Sequence, residues 1–567
     1  MESLALLPLN GLSHVRGEQA PPLSDKTIAQ WLDHTAARWP GHTACVFSDS
    51  GVRWTWAQLR DEADRLAGAL LQRGLTRGDR VGIWSPNRSE WILAQYATAR
   101  IGVVLVNINP AYRLAELEYA LNKVACKAII SAPAFKTSAY LQMLQTLAPE
   151  LLHCAPGQLE AKRLPHLRCV IRMGDERTPG MFNLPALMAG SDAPAVAKAR
   201  KIGDTLTCHD PINIQFTSGT TGQPKGATLS HHNIVNNAIS VAGAMGFTQG
   251  DRLCIPVPLY HCFGMVMGSL VCTVTGGTMI FPGEGFDPLA TLQALHDERC
   301  TALHGVPTMF IAQLDHPEFK RFDLSGLRKG IMAGSPCPVE VMKRVNVDMH
   351  MRDVTIAYGM TETSPVSFQS APSDPLHLRV STVGRVLPHL EVKVIDAAGA
   401  TVPVGQPGEL CTRGYSVMRG YWGDDERTAE TLRDGWMHTG DLGTLDAEGY
   451  CSVVGRVKDM LIRGGENVYP REVEEFLFRH PAIAQVQVFG VPDPKYGEEV
   501  CAWVVLKPGA SATADEVREF CRDQIAHYKV PRHVRFVSEI PMTVTGKAQK
   551  FLMREAMVAE LGLAPKA

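Results

Sequence analysis

The sequence lacks any strong excess of charge of one sign. Lys and Arg total 56 and Asp and Glu total 58, so the formal net charge is −2. A surface with so little net charge lacks the long-range attraction to phosphate backbones that is typical of nucleic-acid-binding proteins. We therefore expect no nucleic acid as the main partner of this protein.

The cysteines lack the spacing of a redox or zinc motif. Fourteen cysteines are scattered along 567 residues, and no two of them are spaced as C-x-x-C. This argues against both a zinc site and a disulfide framework. Free thiols in a large protein suit a reducing compartment, and we expect the cytoplasm.

The amino-terminal residues lack the features of a cleaved leader. The first 25 residues have no basic start and no long apolar run, and their charged residues are Glu2, Arg16, Glu18 and Asp25. We therefore expect no secretory signal, and a single Arg gives little support for a mitochondrial transit peptide.

One long segment lacks charged residues altogether, since no Asp, Glu, Lys or Arg occurs from Leu253 to Gly283. Its length would suffice to span a bilayer. However, prolines and glycines interrupt it, among them Pro258 and the pair at 276–277. We interpret it as a loop, a buried helix near Phe263–Val274 and a strand near Thr278–Phe281, and we expect no transmembrane span.

What the sequence does contain is an alternation of strand and helix patterns. The first such runs are Ala57–Gln72, Arg80–Ser85, Arg88–Arg100, Val103–Asn107, Leu114–Asn122 and Lys127–Ser131. A second set of similar units covers roughly Asp210–Ser370. The alternation predicts an α/β fold with doubly wound sheets. Because 567 residues exceed the size of a single hydrophobic core, we expect at least two domains.

The pattern changes towards the carboxy terminus. Short β-prone runs separated by turns, such as Leu390–Ile395 and Gly408–Arg413, predict a small β-barrel-like subdomain at about 384–455. The last hundred residues mix both periodicities, with helices predicted at Arg471–Arg479 and Ala514–Ile525 and strands at Ala484–Gly490 and Val500–Leu506. They suit a small α+β domain. We therefore divide the chain into residues 1–457 and 458–567.

The strongest local signal is TSGTTGQPKG at Thr217–Gly226. It follows a strand-like run, Ile212–Phe216, and precedes a helical run that starts near Ser230. Glycines let the backbone approach a ligand, and hydroxyls and a lysine supply donors to phosphate oxygens. The Walker A pattern is absent, because Lys225 is followed by glycine. On these residues alone, a phosphate-binding loop and a plain surface turn are about equally supported.

Further motifs follow in a fixed order along the chain. They are PLYH at 258–261, GSP at 334–336, YGMTET at 358–363, WMHTGD at 436–441, GRVKD at 455–459, GGENVYP at 464–470 and PMTVTGK at 541–547. Together with Thr217–Gly226 they resemble the signature motifs of the adenylate-forming superfamily. The resemblance covers about residues 24–560, and the segment Ile462–Glu472 is similar to that of medium-chain acyl-CoA synthetases.

The resemblance implies a ligase with two half-reactions. A carboxylic acid and ATP form an acyl-adenylate with release of pyrophosphate, and coenzyme A then takes the acyl group and releases AMP. ATP, Mg²⁺ and coenzyme A would be required. The superfamily rotates a small mobile carboxy-terminal domain between the two steps, and Lys458 occupies the hinge position.

The resemblance also implies an ATP site. Its residues would be Thr217, Ser218, Gly219, Thr220, Thr221, Gly222, Gln223, Pro224, Lys225, Gly334, Ser335, Pro336, Tyr358, Gly359, Met360, Thr361, Glu362, Asp441, Arg456 and Lys547. Tyr358 would stack on adenine, Asp441 would bind the ribose and Arg456 would lie near ribose and phosphate. Glu362 would hold Mg²⁺, which prefers carboxylate and phosphate oxygens.

The same resemblance assigns catalysis to four residues, which are Lys547, Glu362, Thr220 and His261. Lys547 would bridge the substrate carboxylate and the α-phosphate, where negative charge accumulates. The acyl pocket would include Tyr260, His261, Phe263, Gly264 and Met265, with His261 at its mouth. The turn at Gly464 and Gly465 would let the pantetheine arm of coenzyme A pass.

The uncharged segment helps to choose the acid. A substrate ammonium would require a partner carboxylate, and none occurs between Leu253 and Gly283. An uncharged acyl tail is therefore expected, with medium-chain fatty acids first and longer-chain or aryl acids still open.

Three alternatives remain beside a CoA ligase. The first is an adenylating enzyme that transfers the acyl group to a carrier-protein thiol or to oxygen. The second is a nucleotide- or lipid-binding protein that has lost catalysis, and the third is a P-loop kinase or ATPase, which would release ADP or phosphate. The expected partners are small-molecule substrates. The oligomeric state stays open, with a homodimer among the alternatives.

Overall fold

The structure is a computed structural model that describes residues 6–217, 224–335, 337–464, 466–522, 524–543 and 547–563. It has the α/β architecture predicted from the sequence, with a large amino-terminal part and a small carboxy-terminal part. Two mainly parallel sheets and one antiparallel sheet form the large part, and a fourth sheet lies within the last 110 or so residues.

The first sheet carries the predicted phosphate loop at the end of one of its strands. Its strands, in spatial order, are Gly420–Tyr421, Lys225–Ser230, Pro211–Thr217, Val104–Asn107, Arg80–Trp84, Ala128–Ser131, Cys169–Arg172 and Phe182–Asn183. The strands from Pro211–Thr217 onwards are parallel to one another. Their carboxyl ends therefore meet at one edge, which is where open α/β sheets bind ligands.

The helix that the sequence predicts near Ser230 is observed, but a strand that the sequence did not indicate precedes it. This strand, Lys225–Ser230, pairs antiparallel with Pro211–Thr217. The helix His231–Ala244 follows at once, and the Ser230 hydroxyl caps it by accepting a hydrogen bond from the backbone of Asn233. Tertiary pairing, rather than local pattern, determines this strand.

The carboxyl end of a strand in the second sheet lies near that of a strand in the first, since Thr217 contacts Glu362, which follows Asp353–Gly359. Its strands, in spatial order, are Arg385–Val386, Val366–Gln369, Asp353–Gly359, Lys329–Ala333, Ala302–Gly305, Arg252–Cys254, Thr278–Phe281, Thr43–Phe47 and Val52–Thr55. The five central pairings from Asp353–Gly359 to Thr43–Phe47 are parallel. Tyr358 and Gly359 lie at the carboxyl end of their strand, so this sheet also directs its functional motif to one edge.

The helices of the large part begin at recognisable signals. Capping boxes start Ile28–Arg38 at Thr27 and Trp56–Gln72 at Thr55, and proline occupies the first turn of Pro288–Asp297 and Pro307–Leu314. The remaining helices of this part are Ser89–Arg100, Leu114–Lys123, Tyr140–Leu147, Leu184–Ala189, Ala193–Gly203, Val339–Asp348, Leu376–Ser381 and Asp425–Thr431.

The uncharged segment folds as the sequence predicted. A helical stretch covers residues 262–275 and includes a π-helical turn at Met265–Leu270, and the strand Thr278–Phe281 follows. The breakers end the helix, since Gly276 adopts a φ of 79° at its carboxyl end. Within the described residues, no helix is both long and apolar enough to cross a bilayer.

The third sheet, here called the β-subdomain sheet, is antiparallel. Its strands are His14–Arg16, Leu390–Ile395, Gly408–Gly414, Trp436–Leu445, Leu432–Arg433 and Cys451–Arg456. His14–Arg16 comes from near the amino terminus, which the sequence did not indicate. Two short strands inside the same sequence range, Arg385–Val386 and Gly420–Tyr421, belong instead to the two large sheets.

The carboxy-terminal residues form their own sheet and core. The strands are Glu466–Val468, Leu461–Arg463, Gly497–Leu506, Ile483–Asp493 and His533–Phe536, and the helices are Pro470–Leu477, Ala514–Cys521 and Lys550–Glu560. The helix expected over Ala514–Ile525 is therefore too long, because Arg522 already has extended backbone angles. Among the described residues, the apolar clusters of this part begin at Leu461, whereas the buried residues of the main cluster end at Cys451.

Candidate active site

The two ends of the predicted phosphate loop lie side by side. Thr217 and Lys225 are paired across the antiparallel strands, so the intervening residues connect neighbouring positions at the carboxyl edge of the first sheet. The predicted ligands Ser218, Gly219, Thr220, Thr221, Gly222 and Gln223 lie outside the described residues. Pro224 and Lys225 are described, and they close the loop on its second strand.

Glu362 lies directly beside this loop. The Thr217 hydroxyl donates to its Oε1 at 3.3 Å and the Tyr421 hydroxyl donates to the same oxygen at 2.9 Å. Glu362 is only 5% exposed. A buried carboxylate next to a phosphate loop offers the hard oxygen ligand that Mg²⁺ prefers, and phosphate oxygens would complete the coordination. The residues present therefore fit the magnesium site that the resemblance implies.

Tyr421 is a member of this site that sequence reasoning missed. Besides its contact with Glu362, its ring lies 4.9 Å from the Lys225 ammonium, a cation–π distance. Burial and the Glu362 carboxylate raise the pKa of the Tyr421 phenol, so it remains a hydrogen-bond donor. Tyr421 belongs to a two-residue strand beside Lys225–Ser230. No sequence motif marks this pairing.

Tyr358, Asp441 and Arg456 form a connected group. The Tyr358 hydroxyl donates to Asp441 Oδ2 at 2.7 Å, and Arg456 Nε donates to Asp441 Oδ1 at 3.1 Å. Asp441 and Arg456 face each other on paired strands. Both carboxylate oxygens of Asp441 are thus oriented by protein donors, and an aromatic ring and a guanidinium flank the proposed ribose ligand.

The YGMTET motif turns sharply after its strand. Gly359 must be glycine, because a Cβ there would lie 1.7 Å from the carbonyl oxygen of Pro365. Thr361, Glu362 and Thr363 form a short 3₁₀ turn, and the backbone N–H of Met360 donates to Pro365 O at 2.9 Å. This close approach of two chain segments places Glu362 against Thr217.

Lys547 reaches the same region from the far end of the chain. It lines a pocket together with His261, Gly334 and other residues of the large part. Surrounding protein atoms and the Arg456 guanidinium lower the pKa of its ammonium, while Asp441 and Glu362 oppose this shift. The residue keeps access to solvent, so the ammonium lies in an open cleft rather than in the core.

The pocket at Lys547 is mostly apolar. It is lined by Val257, Pro258, His261, Phe263, Val306, Met309, Gly334 and Lys547. Two of the five predicted acyl-pocket residues, His261 and Phe263, are on its wall. The other three are not among its lining residues: the backbone oxygen of Tyr260 and the sulfur of Met265 both contact the Asn107 amide, and Gly264 packs on the Pro258 backbone. Val306 and Met309 belong to none of the sequence motifs. They lie at the start of the helix Pro307–Leu314, which follows the strand Ala302–Gly305 of the second sheet.

His261 has a defined role in the local structure. Its Nδ1 accepts a hydrogen bond from the backbone N–H of Phe263 at 3.2 Å and so caps the helical stretch 262–275. Burial and the Lys547 ammonium lower the pKa of His261 to about 3. The imidazole is therefore neutral, with Nδ1 unprotonated and Nε2 bearing the hydrogen.

The remaining predicted positions lie around the cleft. Gly334 borders the pocket and Ser335 follows it, whereas Pro336 lies outside the described residues. Gly464 donates its backbone N–H to Tyr496 O at 2.9 Å, and its neighbour Gly465 lies outside the described residues. Lys458 is exposed and lies between the last strand of the β-subdomain sheet and the carboxy-terminal sheet.

All fourteen cysteines fall in the described part of the chain, and all are free thiols. Thirteen of them are buried, and Cys154 alone is partly accessible. Cys262 lies beside the pocket, and burial raises the pKa of its thiol to about 12. A thiol that stays protonated is a poor nucleophile, so the site offers no protein thiolate for covalent catalysis.

Comparison with known proteins gives consistent matches. Residues 32–422 match the family described as AMP-binding enzyme, and residues 472–547 match the AMP-binding enzyme C-terminal domain. The mitochondrial medium-chain acyl-CoA ligase ACSF2 of Danio rerio is 47% identical over 98% of this chain and 92% of its own length. The putative acyl-CoA synthetase YngI of Bacillus subtilis is 47% identical over 95% of this chain and 99% of its own length.

Solved structures agree with this chain at the level of the fold. The anthranilate CoA ligase AuaEII in complex with anthranoyl-AMP superimposes with a TM-score of 0.84, at 26% identity over 96% of this chain and 99% of that chain. ATP-bound MatB from Rhodopseudomonas palustris superimposes with a TM-score of 0.80, at 31% identity over 93% of this chain and 98% of that chain.

Proposed function

Because this chain belongs to the AMP-binding enzyme family and is an AMP-forming acyl-CoA ligase, we propose that its substrate is a medium-chain fatty acid and that the residues gathered at the cleft perform the two half-reactions. The observation that carries the proposal is the position of Lys547. A residue 20 positions from the end of the chain shares one pocket with His261 and Gly334, and the Asp441 and Glu362 carboxylates act on its ammonium.

In the first half-reaction, a carboxylate oxygen of the acid attacks the α-phosphorus of ATP. The new bond joins carboxylate oxygen to phosphorus, the bond between the α-phosphorus and the bridging oxygen breaks, and pyrophosphate leaves with that electron pair. Positioning and charge neutralisation account for most catalysis in such displacements. Lys547 neutralises charge on the carboxylate and the α-phosphate, and Lys225 and Thr217 donate to phosphate oxygens.

The nucleotide is held by groups on both large sheets and the β-subdomain sheet. Asp441 accepts hydrogen bonds from the ribose hydroxyls, Tyr358 lies along the base and Arg456 neutralises phosphate charge. Glu362 holds Mg²⁺, which when bound neutralises negative charge on the triphosphate. Tyr421 and Thr217 orient Glu362 for that purpose.

In the second half-reaction, the thiolate of coenzyme A attacks the acyl carbon. A thioester bond forms, the bond between the acyl carbon and the phosphate oxygen breaks, and AMP leaves. The carboxy-terminal residues rotate about Lys458 between the two steps. Because this rotation withdraws Lys547 from the pocket, Lys547 serves only the first step. Gly464 and Gly465 then border the path of the pantetheine arm, because glycine permits close approach of a ligand to the backbone.

The choice of a medium-chain acid rests on the pocket and on the relatives. The wall is formed mainly by Val257, Phe263, Val306 and Met309, and none of its described lining residues is a carboxylate. An apolar pocket of this kind favours an uncharged acyl tail. Relatives at 44–47% identity are named medium-chain acyl-CoA ligases. For localisation we propose a reducing compartment, the cytoplasm, which suits fourteen unpaired cysteines.

Isotope transfer tests the chemistry. Purified enzyme is incubated with ATP, coenzyme A and octanoate labelled with ¹⁸O in its carboxylate, and the AMP is examined by mass spectrometry. One labelled oxygen should appear in AMP, and pyrophosphate should be released in equal amount. Unlabelled AMP, or ADP and phosphate as products, would refute adenylate formation.

Substrate panels test the finer assignments. Acids from C2 to C16 are compared by kcat/KM in a pyrophosphate-release assay, with benzoate as an aryl acid. A maximum between C6 and C12 is expected, and a maximum outside that range would reject the medium-chain proposal. Replacing coenzyme A by a phosphopantetheinylated carrier protein tests the acceptor, and faster transfer to the carrier than to coenzyme A would reassign it.

A further inference from the structure

The turn that presents Asp441 departs from the regular strand ladder. Cys411 pairs with His438 and Glu409 pairs with Leu442, so residues 439–441 lie opposite the single residue Leu410. Gly440 has a φ of 70°, a conformation that side-chain-bearing residues rarely adopt. Such a bulge changes the direction of a side chain but loses ladder hydrogen bonds, and other groups must hold it in place.

The Glu409 side chain stabilises this bulge. Its Oε1 accepts the backbone N–H of Gly440 at 3.0 Å, and its Oε2 lies 3.0 Å from His438 Nδ1. One carboxylate thus bonds two residues of the turn, one on each side of Thr439. The Thr439 hydroxyl donates to Leu410 O at 2.7 Å and accepts the Asp441 N–H at 3.1 Å.

We propose that Glu409 is a positioning residue for nucleotide binding, acting through the bulge 439–441 on the Asp441 carboxylate. The inference rests on the proposed role of Asp441 as the ribose ligand. Asp441 must meet the ribose hydroxyls at hydrogen-bond distance, and a displacement of the turn by about 1 Å would weaken those bonds steeply. Glu409 bonds the Gly440 backbone and the His438 ring, so in this proposal it acts through the turn.

The same cluster contains the donor types of a zinc site. Cys411 Sγ lies 3.6 Å from His438 Nδ1, and the ligand atoms of Glu409, Cys411 and His438 lie within 4.8 Å of one another. Two observations favour the hydrogen-bonded arrangement. Glu409 already uses both oxygens within the turn, and the cations Lys393 and Arg413 lie over the Trp436 ring on the same face of the sheet.

Three variants of one sheet test the proposal. Glu409→Ala removes both hydrogen bonds, whereas Glu409→Gln can accept from Gly440 with its amide oxygen and, with the His438 ring carrying its hydrogen on Nε2, donate to His438 Nδ1 with its amide nitrogen. Glu391→Ala is the matched control, because this carboxylate lies on the neighbouring strand and contacts His14, Arg16 and Arg413 instead of the turn. KM for ATP, kcat and the preference for ATP over 2′-deoxy-ATP are measured for each.

Glu409→Ala should raise KM for ATP about tenfold, the loss expected for a charged hydrogen bond, and leave kcat within about twofold. Its preference for ATP over the 2′-deoxy nucleotide should fall, because Asp441 no longer faces the hydroxyl. Glu409→Gln should restore most of both quantities, and Glu391→Ala should match the wild type. A purely structural role would lower kcat and active fraction without changing the nucleotide preference.

Asp441→Asn separates the two levels of the proposal. If Asp441→Asn loses the 2′-hydroxyl preference and Glu409→Ala keeps it, Glu409 is not a positioning residue and the ribose role stands. If Asp441→Asn keeps the preference, the ribose role itself is wrong. Should Glu409→Ala fail to fold, His438→Ala against His438→Asn repeats the comparison with Glu409 intact. Sulfur-to-cobalt absorption on titration with Co²⁺, abolished by Cys411→Ser, would overturn the proposal in favour of a metal site.

Discussion

At the scale of single residues, the Tyr421 hydroxyl orients the Glu362 carboxylate by donating a hydrogen bond to it. Tyr421→Phe leaves the ring beside Lys225 but removes the donor to Glu362. Because a hydrogen bond to a charged group contributes about 1.5–3 kcal/mol, we expect kcat/KM for ATP to fall about tenfold or more, and a higher Mg²⁺ concentration to recover part of the loss.

The matched control for this prediction is Tyr450→Phe. Tyr450 also donates to a carboxylate, Asp374 Oδ1 at 2.8 Å, but it lies in a turn of the β-subdomain. Steady-state kinetics at several Mg²⁺ concentrations compare the two variants. Equal effects of the two substitutions would show that Tyr421 does not act through Glu362.

The position and charge of Lys547 lead us to expect a pH-dependent first half-reaction and a second half-reaction that does not need this residue. Its pKa is lowered from 10.5 by the surrounding protein atoms of the cleft and by Arg456, and only the charged ammonium can neutralise the reacting oxygens. Activity in the first half-reaction should therefore be highest at pH values below this lowered pKa and should fall as pH rises through it, at a pH below 10.5. Lys547→Arg should move the decline to higher pH, because guanidinium stays charged.

The measurement is the pH profile of kcat/KM for ATP, which reports groups of the free enzyme. Lys547→Ala should block acyl-adenylate formation while leaving thioester formation from supplied acyl-adenylate intact. Loss of both half-reactions to the same degree would contradict the assignment of Lys547 to the first step alone.

Much of the nucleotide site could be predicted residue by residue, since its motifs are contiguous in sequence. The motifs predict Asp441, Glu362 and Lys547 as site residues, and the structure brings Asp441 and Glu362 together with Lys547 as neighbouring charges. Tyr421 and Val306 belong to no such motif. Tyr421 contacts Glu362 although 59 positions separate them in sequence. Val306 lines the pocket because it directly follows the strand Ala302–Gly305 of the second sheet.

At the scale of elements, His261 links the acyl pocket to the helical stretch 262–275. Loss of an N-cap acceptor costs about 0.5–2 kcal/mol, and here the first turn carries Phe263 on the pocket wall. His261→Ala should therefore raise KM for the acid about three- to tenfold, whereas His261→Asn, which keeps a capping oxygen, should stay near the wild type. No pH dependence from His261 is expected above pH 5, since its pKa is about 3.

Kinetics with the preferred acid at saturating ATP measure this effect. If both variants lose the same affinity, the imidazole itself contacts the substrate and the capping explanation is wrong. If neither changes, the first turn of the helix does not shape the pocket.

Elements with strong local signals were predicted closely, and those that depend on distant pairing were not. The helix 262–275 and the strand Thr278–Phe281 follow from apolar content and glycine positions. The strand Lys225–Ser230 has little β character of its own and is fixed by Pro211–Thr217. The strand His14–Arg16 pairs with residues almost 380 positions away, a contact that no local pattern encodes.

At the scale of the whole molecule, the proposed rotation makes Lys458 a critical position. Lys458→Pro fixes φ near −65° and so restricts the backbone where the two parts join. We expect the thioester half-reaction to slow most, because it requires the rotated arrangement, while acyl-adenylate formation is largely retained. Single-turnover assays of each half-reaction measure this, and unchanged rates in both halves would remove Lys458 from the hinge.

For Arg471 we expect the opposite effect to that of Lys458→Pro, with acyl-adenylate formation slowed and thioester formation retained. The Arg471 side chain is 19% exposed and its Nη1 donates to Val453 O at 2.5 Å, so a residue of the carboxy-terminal helix Pro470–Leu477 bonds the last strand of the β-subdomain sheet. Rotation about Lys458 would break this contact. Arg471→Ala should slow acyl-adenylate formation about three- to tenfold, the loss of one hydrogen bond, and should not slow thioester formation.

Arg479→Ala is the control for Arg471, because Arg479 stacks on Phe476 within the same part of the chain. It should change neither half-reaction. A slower thioester step in Arg471→Ala would mean that the contact persists in both arrangements.

The sequence predicts a division into a large and a small part, since the short β-prone runs of about 384–455 give way to mixed patterns from Asp459. The separate apolar clusters of the carboxy-terminal residues explain why those patterns differ. Which face of the small part meets the large one was not predictable, because it depends on individual contacts such as Arg471 with Val453.

The accessibility of the thiols makes this enzyme convenient for labelling. With Cys154 alone partly exposed among fourteen cysteines, a maleimide dye added to the native protein should attach there and nowhere else at short times. A second cysteine at the exposed position Ser511 would then allow fluorescence resonance energy transfer between the two parts, so that their movement during turnover could be followed without first removing the native cysteines.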